Sequence, residues 1–325
     1  MNYRVLLFYK YVTFADPEKF QKEHFQFCLD NDIKGRVWIA KEGINGTVSG
    51  NTENIEKYKS EIRKYPGFED IWFKEDPHNE HAFRKIHVRI HHEIVTASFG
   101  NIDLSKTGKR LSPEELNQFY ESEKDFVIID TRNDYESNIG KFKNAIVPNT
   151  ETFRDWPKAV EKLEQFKDKT VVTYCTGGIR CEKASAYLIE KGFKDVYQMD
   201  GGIWNYITKH PDKYWEGSVF VFDERRIVTP NTKEEIKHIG KCYYCGTPTS
   251  YYINCHNQIC DKILLTCDKC KIENDYCCSD ECRQASSRRK RVHGWRKLIA
   301  VNYQLCKITL SVYRNSNYFA NTKSY

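Results

Sequence analysis

Cys175, in the stretch 174–181, stands between a strand pattern and a helix pattern. Residues 170–174 are β-branched or aromatic and form a short run, as expected of a buried parallel strand. Residues 182–189 are good helix formers, and Gly192 follows them as a natural residue after a helix end. A strand, a tight glycine-containing loop and the start of a helix therefore surround one cysteine.

Cys175 lies at the start of that loop, where backbone N–H groups and the positive end of the helix can converge on its sulfur. A thiol in this setting has a pKa of roughly 3.5–7.5 rather than about 8.5. Arg180 adds a fixed positive charge. We therefore predict that Cys175 is a catalytic thiolate stabilised by Arg180, and a buried cysteine that only packs is the alternative. The predicted loop amides are those of Thr176, Gly177, Gly178 and Ile179.

The spacing from Cys175 to Arg180 is C-x4-R. Phosphatases with a cysteine nucleophile need a C-x5-R loop to wrap a tetrahedral phosphate, whereas the shorter loop resembles the active site of the rhodaneses, which are sulfurtransferases. The sequence VIIDTRNDYE at 127–136 resembles the entry motif of that family, and DGGIW at 200–204 resembles its closing motif. The resemblance covers 126–207 and implies a doubly wound parallel sheet.

Other positions in this rhodanese-like segment have predicted roles. Asp130 and Arg132 are predicted to support the cysteine loop. Cys181 is a candidate resolving thiol for an oxidised or persulfidic Cys175, with helix packing as the alternative. Thr176 replaces the arginine that often follows the cysteine in thiosulfate-using members, which weakens the case for a small dianionic sulfur donor.

The first ninety or so residues predict a separate sandwich of helices and strands. The predicted elements are strands at 5–9 and 36–40, a third strand entered from the loop at 41–47, and later strands at 71–74 and 86–90. Helices are predicted to begin at 17 and at about 52. This order suggests a ferredoxin-like (acylphosphatase-like) α+β sandwich. In the last strand His87, Arg89 and His91 form a cationic face, for which solvent exposure and contact with a nucleic-acid backbone both remain open.

Eight closely spaced cysteines can supply thiolates for two tetrahedral zinc ions. The pairs are Cys242 and Cys245, Cys255 and Cys260, Cys267 and Cys270, and Cys278 and Cys282. Cys277 and His256 are alternate ligands. Sequential and interleaved sharing of the two ions both fit the spacing. We predict structural zinc, because the segment has little apolar material of its own, with an iron–sulfur cluster or unligated thiols as alternatives.

The net charge of +6 is concentrated near the zinc segment. Residues 283–297 include seven Lys or Arg and no acid, which leaves about −1 for the rest of the chain. This composition predicts RNA binding, with a solvated basic helix as the alternative. The predicted RNA contacts are Arg288, Arg289, Lys290, Arg291, Trp295, Arg296 and Lys297. No apolar run approaches the length of a bilayer span and no signal peptide is evident, so we predict a cytoplasmic protein without membrane association.

The order of these segments resembles the oxygen-dependent tRNA wobble-uridine hydroxylases, a rhodanese-containing family that forms 5-hydroxyuridine in tRNA. The resemblance extends from about Val5 to Arg296 and is most specific at 41–47, 130–136 and 175–181. It implies that Cys175 is the catalytic residue, acting directly or through a persulfide. It further implies tRNA rather than DNA as the partner, with dioxygen and an unidentified reductant as co-substrates.

The chemistry of uracil agrees with this function, because a thiolate that adds to carbon 6 makes carbon 5 nucleophilic. The loop amides and Arg180 could stabilise the resulting enolate. The main alternative is a sulfurtransferase that carries a persulfide on Cys175 and feeds tRNA thiolation, with a sulfur-donor protein as partner. A third hypothesis is a nonenzymatic RNA-binding or redox-sensing protein, in which Cys175 titrates as an ordinary thiol.

The predicted architecture is α/β. It combines an N-terminal ferredoxin-like sandwich, a central rhodanese-like doubly wound parallel sheet and a C-terminal cysteine-rich zinc module. The predicted divisions are a ferredoxin-like domain at 1–95, a linker and lead-in helix at 96–120, a rhodanese-like catalytic domain at 121–215, a cysteine-rich basic segment at 216–300 and an unassigned tail at 301–325.

Overall fold

A computed structural model describes residues 1–100, 102–122, 124–232 and 235–289. These residues fall into two compact units. The first comprises Met1–Ile253 and Ile263–Glu273, and the second comprises Asn254–Lys262 and the described residues from 274 onward. None of the helices in this part of the chain has the length and apolar character that a bilayer crossing needs.

The N-terminal part of the first unit is a five-stranded sheet with two helices packed on one face. Its elements are β1 (Tyr3–Tyr11), α1 (Pro17–Asp30), β2 (Lys34–Ala40), β3 (Gly43–Asn51), α2 (Thr52–Ile62), β4 (Phe73–His78) and β5 (Ile86–Ile90). The strand order is β4-β1-β3-β2-β5, and only β2 and β5 run parallel to each other. The predicted ferredoxin-like sandwich is confirmed, with β5 as an additional edge strand.

The two faces of this sheet differ in what covers them. Leu6 and Phe8 of β1 lie in one core cluster with Cys28 of α1 and Tyr58 of α2. Because successive side chains of a strand point to opposite faces, the odd-numbered residues of β1 face away from the helices. That second face lies against the next domain and forms part of the site described below.

The middle of the first unit is an α/β domain with a parallel sheet. Its elements are β6 (Lys109–Leu111), α3 (Pro113–Glu121), β7 (Phe126–Asp130), α4 (Asp134–Ser137), β8 (Gly140–Phe142), α5 (Trp156–Glu161), β9 (Thr170–Tyr174), α6 (Ile179–Glu190), β10 (Asp195–Met199) and α7 (Gly202–Lys209), with 3-10 turns at Leu104–Lys106, Phe153–Asp155 and Glu164–Phe166. The sheet order is β6-β10-β9-β7, with every pair parallel.

This parallel sheet is buried on both faces. One core cluster includes Leu116 of α3 and Ile203 of α7, and another includes Ala159 of α5 and Leu188 of α6. Helices on both faces explain why β7 and β9 show no strict alternation of apolar with polar residues. The predicted doubly wound architecture is confirmed.

The segment predicted as a linker contributes to this sheet. β6 pairs with β10, and the amide of Gly108 donates to the Ser185 hydroxyl at 2.9 Å. Two of the three β6 residues are Lys109 and Arg110, so the sequence shows no strand pattern there. The strand forms because β10 offers an unpaired backbone edge, which sequence periodicity does not reveal.

Short elements follow α7. They are β11 (Trp215–Gly217), β12 (Val219–Phe220), β13 (Ile227–Val228), β14 (Tyr252–Asn254), β15 (Ile263–Leu265), α8 (Asp268–Glu273) and α9 (Asp280–Gln284). β11 pairs with β8, and β12 pairs with β13, both antiparallel.

Candidate active site

Cys175 follows β9, at the point where the loop turns into α6. Its sulfur accepts a hydrogen bond from the amide of Gly178 at 3.1 Å, and the amide of Arg180 also favours the anionic sulfur. Gly178 has a φ of 104°, a left-handed conformation that suits glycine. The carbonyl of Cys175 accepts from the amide of Ile203 at 2.9 Å, which ties the loop to α7. The loop therefore presents N–H donors to an anion on the sulfur.

These contacts change the acidity of Cys175. Burial opposes ionisation, but a hydrogen bond from the Cys181 thiol, the charge of Arg180 and the amides of Arg180 and Gly178 outweigh it and lower the pKa of Cys175 to about 6. Burial and the neighbouring Cys175 raise the pKa of Cys181 well above its ordinary value. Cys181 therefore stays a neutral thiol, which favours the negative charge on Cys175.

We expect the rate at which iodoacetamide alkylates Cys175 to rise with pH around a midpoint near 6. The folded-state pKa lies below the ordinary value, so the reactive thiolate forms as pH rises through that midpoint and is lost as pH falls. Peptide mapping by mass spectrometry measures the rate at each pH. Cys181→Ala removes a hydrogen-bond donor and should move the midpoint upward. A midpoint near the ordinary value of about 8.5 in the unsubstituted protein would contradict the assignment.

The Arg180 guanidinium binds a carboxylate rather than the sulfur. Its two terminal nitrogens donate to Glu136 of α4 at 2.6 and 2.8 Å, and both side chains are buried. A buried guanidinium needs such a partner to offset its lost hydration. The Thr176 hydroxyl also donates to Glu136, at 3.4 Å. The Arg180 guanidinium thus favours the thiolate through its charge and not through a hydrogen bond of its own.

A second buried ion pair lies at the end of β7. Arg132 donates to Asp130 through Nε at 2.9 Å and through Nη2 at 2.6 Å, and neither side chain is exposed. Asp130 also accepts from the hydroxyls of Tyr174 at 2.7 Å and Ser137 at 2.8 Å. Neither member of the pair lines the cavity at Cys175, so the pair holds the strand ends that carry the loop.

Cys175 is shielded from bulk solvent but lines a cavity of about 240 Å³. One water needs only about 10–15 Å³ of such space, so a cavity of this volume has room for a ring as small as a pyrimidine base. One wall is the cysteine loop, and the other is the face of the N-terminal sheet that the helices leave uncovered. Residues of that second wall include Leu7, Tyr9, Arg36, Trp38, Asn45 and Thr47.

The two loop glycines allow this close approach. A Cβ on Gly177 would lie 2.9 Å from the Leu7 side chain, and one on Gly178 would lie 3.0 Å from the Tyr9 hydroxyl. Tyr9 donates to Glu182 of α6 at 2.9 Å. Sequence reasoning missed the N-terminal wall of the site. The sequence did carry one signal of this wall, the uninterrupted apolar run at 5–9. A strand with one solvated face would alternate apolar with polar residues, so the run indicates that both faces are covered.

An ion-pair cluster also joins the two domains of the first unit. Lys183 of α6 is buried and donates to Glu42 at 3.0 Å and to Glu93 at 2.8 Å. Glu42 belongs to the turn between β2 and β3, and it also accepts from the amide of Ile94 at 2.7 Å. This cluster fixes the turn against the helix that follows Cys175.

Lys74 of β4 is a second buried lysine close to the site. Its ammonium lies 4.3 Å from the ring centre of Trp72 and 5.2 Å from that of Tyr9. Burial lowers the pKa of Lys74 to about 8, while nearby negative groups, with Cys175 the strongest, oppose that shift. It lines a small cavity of about 40 Å³ together with Thr176 of the loop. A positive charge at Lys74 therefore favours the thiolate.

Three family models match successive parts of the chain. They are described as a UPF0176 acylphosphatase-like domain over residues 3–94, a rhodanese-like domain over 112–209 and a rhodanase C-terminal region over 216–283. The tRNA uridine(34) hydroxylase of Staphylococcus carnosus is 47% identical over 290 residues, covering 87% of this chain and 90% of that protein. That of Cytophaga hutchinsonii is 42% identical over 283 residues with the same coverage, and that of Acholeplasma laidlawii is 45% identical over 289 residues.

The chain belongs to the tRNA uridine(34) hydroxylase family. The family predicted from the sequence is confirmed. In this member of the family the match extends over all three regions, so the acylphosphatase-like wall of the cavity belongs to the shared architecture as much as the rhodanese-like loop does.

The chain also carries two sets of four cysteines, and each set is able to hold a metal ion. The first set, within the first unit, is Cys242, Cys245, Cys267 and Cys270, and the second set, within the second unit, is Cys255, Cys260, Cys278 and Cys282. Within each set the sulfurs lie within 4.8 Å of one another. The pairs are interleaved along the chain, a choice that the sequence left open. Cys277 and His256 belong to neither set.

Two of the predicted RNA contacts lie in the described residues, and both contact their own unit. Arg289 donates to the carbonyl of Cys255 at 2.7 Å and pairs with Asp261. Arg288 donates to the carbonyl of Arg283 at 2.7 Å. The remaining predicted contacts, Lys290, Arg291, Trp295, Arg296 and Lys297, lie outside the described residues.

Proposed function

We propose that the chain hydroxylates carbon 5 of the wobble uridine of tRNA and forms 5-hydroxyuridine, with dioxygen as the oxidant. Relatives at 42–47% identity are named for uridine-34 hydroxylation, which supports the substrate and the reaction class. The observation that carries the chemistry is the Cys175 sulfur, which accepts a hydrogen bond from the amide of Gly178 and lines a cavity with room for a pyrimidine base.

In the proposed reaction the Cys175 thiolate adds to carbon 6 of the uracil. The electron pair of the carbon 5–carbon 6 double bond then moves toward the 4-oxygen, and carbon 5 becomes nucleophilic. Carbon 5 attacks an oxygen electrophile derived from dioxygen and loses its proton. The bond between sulfur and carbon 6 breaks, the thiolate leaves with the electron pair, and the double bond is restored.

The overall reaction needs a reductant. One oxygen atom of dioxygen enters the product, and the other leaves as water after uptake of two electrons and two protons. A two-electron donor of the dithiol class would meet this requirement. The amides of Gly178 and Arg180 stabilise the sulfur anion at two steps. The sulfur is anionic before it adds to carbon 6 and again when it leaves carbon 6.

The decisive experiment incubates the purified protein with unmodified tRNA and dithiothreitol under air and under argon. We expect 5-hydroxyuridine only under air, and isotopically heavy dioxygen should place one heavy oxygen atom in the product. Nucleoside mass spectrometry after digestion measures both results. Product under argon, or none under air, would contradict the proposal. A persulfide on Cys175 with thiolated nucleosides would instead support the sulfurtransferase alternative.

We further propose that both cysteine sets hold zinc. Four thiolates suit a tetrahedral zinc site and leave no open position for substrate, so the role of the metal is structural. Backbone amides point at the sulfurs as expected around such an ion. The amide of Cys270 donates to the Cys267 sulfur, and the amide of Cys278 donates to the Cys255 sulfur, both at 3.5 Å.

A further inference from the structure

The sheet face that closes the Cys175 cavity continues to the edge of the N-terminal domain as a cationic and aromatic strip. The edge strip consists of Arg36, Trp38, His87, Arg89 and His91. Parallel pairing of β2 with β5 places Arg36 beside His87 and Trp38 beside Arg89. The alternate residues of these strands pack under the helices, namely Val37, Ile39, Ile86 and Val88. The strip residues therefore face the side on which the cavity lies.

The edge strip is positive and lacks neighbouring acids. The pKa of His87 is lowered, mainly by burial and to a lesser extent by the positive charges of Lys85, Arg89 and Arg36. No carboxylate is among these causes. Within the described residues, no ion pair involves Arg36, Lys85 or Arg89. Other surface lysines of this domain form ion pairs, as Lys59 does with Glu56 and Glu75. An unneutralised cluster of this kind attracts an anionic polymer.

The same strip carries a stacking platform. The rings of Trp38 and His91 stack with centroids 4.2 Å apart and planes 25° apart. Trp38 also lines the Cys175 cavity, as Arg36 does. The Nε2 atom of His91 is buried and has no hydrogen-bond partner among the described residues. Trp38 is part-exposed, so its ring is available to stack against a base.

We propose that the edge strip binds the single-stranded nucleotides that flank the wobble uridine. Arg36, His87 and Arg89 contact backbone phosphates, and the stacked pair of Trp38 and His91 receives a flanking base. This inference rests on the proposed function. Single-stranded RNA is bound by cations along its backbone and by aromatic rings under its bases. A uridine that enters the cavity leaves its own stack, and the platform replaces that stacking for its neighbour.

The test compares Arg89→Gln with Arg154→Gln. Both arginines are exposed and neither lines the cavity, so the control matches the charge change at a site outside the strip. We expect Arg89→Gln to weaken binding of unmodified tRNA roughly 3- to 10-fold and to reduce the salt slope of log K by about 0.7, whereas Arg154→Gln should match the wild type. Fluorescence anisotropy at several salt concentrations measures both quantities, and thermal melting verifies folding.

The outcomes separate this inference from the proposed function. If the wild-type protein hydroxylates tRNA but the two variants bind tRNA with equal affinity and salt slope, the proposed RNA binding by the edge strip is wrong and the proposed function is unaffected. Weaker binding and a higher KM for tRNA in Arg89→Gln alone would support the strip. Weaker binding by Arg89→Gln in a protein that forms no 5-hydroxyuridine would support an RNA-binding strip and contradict the hydroxylase proposal.

Discussion

Cys175→Ser is expected to lower the rate of 5-hydroxyuridine formation at least about 10³-fold, equivalent to about 4 kcal/mol of transition-state stabilisation. Serine has nearly the same shape, but its hydroxyl is not ionised at neutral pH. The amides of Gly178 and Arg180 would then face a neutral oxygen that cannot add efficiently to a pyrimidine. Single-turnover assays with tRNA and nucleoside mass spectrometry measure the rate.

Cys181→Ser is the matched control, because it makes the same atomic change at the cysteine six residues later in the chain. Cys181 supplies a hydrogen bond to the sulfur but is not the nucleophile, so we expect a smaller fall in rate. Melting temperatures of the two variants separate catalytic loss from unfolding. Near-normal activity in Cys175→Ser, or complete loss only in Cys181→Ser, would refute the assignment of Cys175 as the nucleophile.

The site combines features of two domains. The rhodanese-like loop supplies the acidic thiol, but the N-terminal sheet closes the cavity and removes the sulfur from bulk solvent. Contacts of Leu7 with Gly177 and of Tyr9 with Gly178 show how closely the two surfaces meet. Exclusion of water favours addition of the thiolate to a bound base over side reactions with small solutes.

The local part of this site was predictable from sequence. The strand, the cysteine loop and the helix are contiguous, so residues 170–190 carry the periodicity and the glycines that define them. Membership of the two four-cysteine sets was predictable for the same reason, because the cysteines of each pair are separated by two to four residues. Their interleaving was not, since it depends on the path of the chain between the pairs.

Long-range contacts account for what sequence reasoning missed. The partner of the Arg180 guanidinium is Glu136, 44 residues earlier in the chain, and no local pattern links them. The N-terminal wall of the cavity likewise depends on how two independently patterned domains pack. The strand at Lys109–Leu111 is held by an edge of β10 rather than by its own composition.

Loss of one zinc ligand is expected to release one metal ion and to unfold the second unit. In that unit the described residues that are buried are all cysteines: Cys255, Cys277 and Cys282. A segment without a buried aliphatic core depends on metal binding for its folding free energy, about 10–16 kcal/mol for zinc in small peptides. Cys282→Ala should therefore reduce bound zinc from two ions to one and expose this segment to limited proteolysis.

Cys277→Ala is the control that makes this prediction specific. Cys277 is as deeply buried as Cys255 but belongs to neither four-cysteine set, so its removal should leave both ions in place. Elemental analysis by mass spectrometry counts zinc and iron in the same sample, and iron with visible absorption would support a cluster instead. Two zinc ions retained in Cys282→Ala, or one lost in Cys277→Ala, would contradict the ligand sets. Because the sulfurs of the second set all come from the second unit, the first set should keep its ion in either variant.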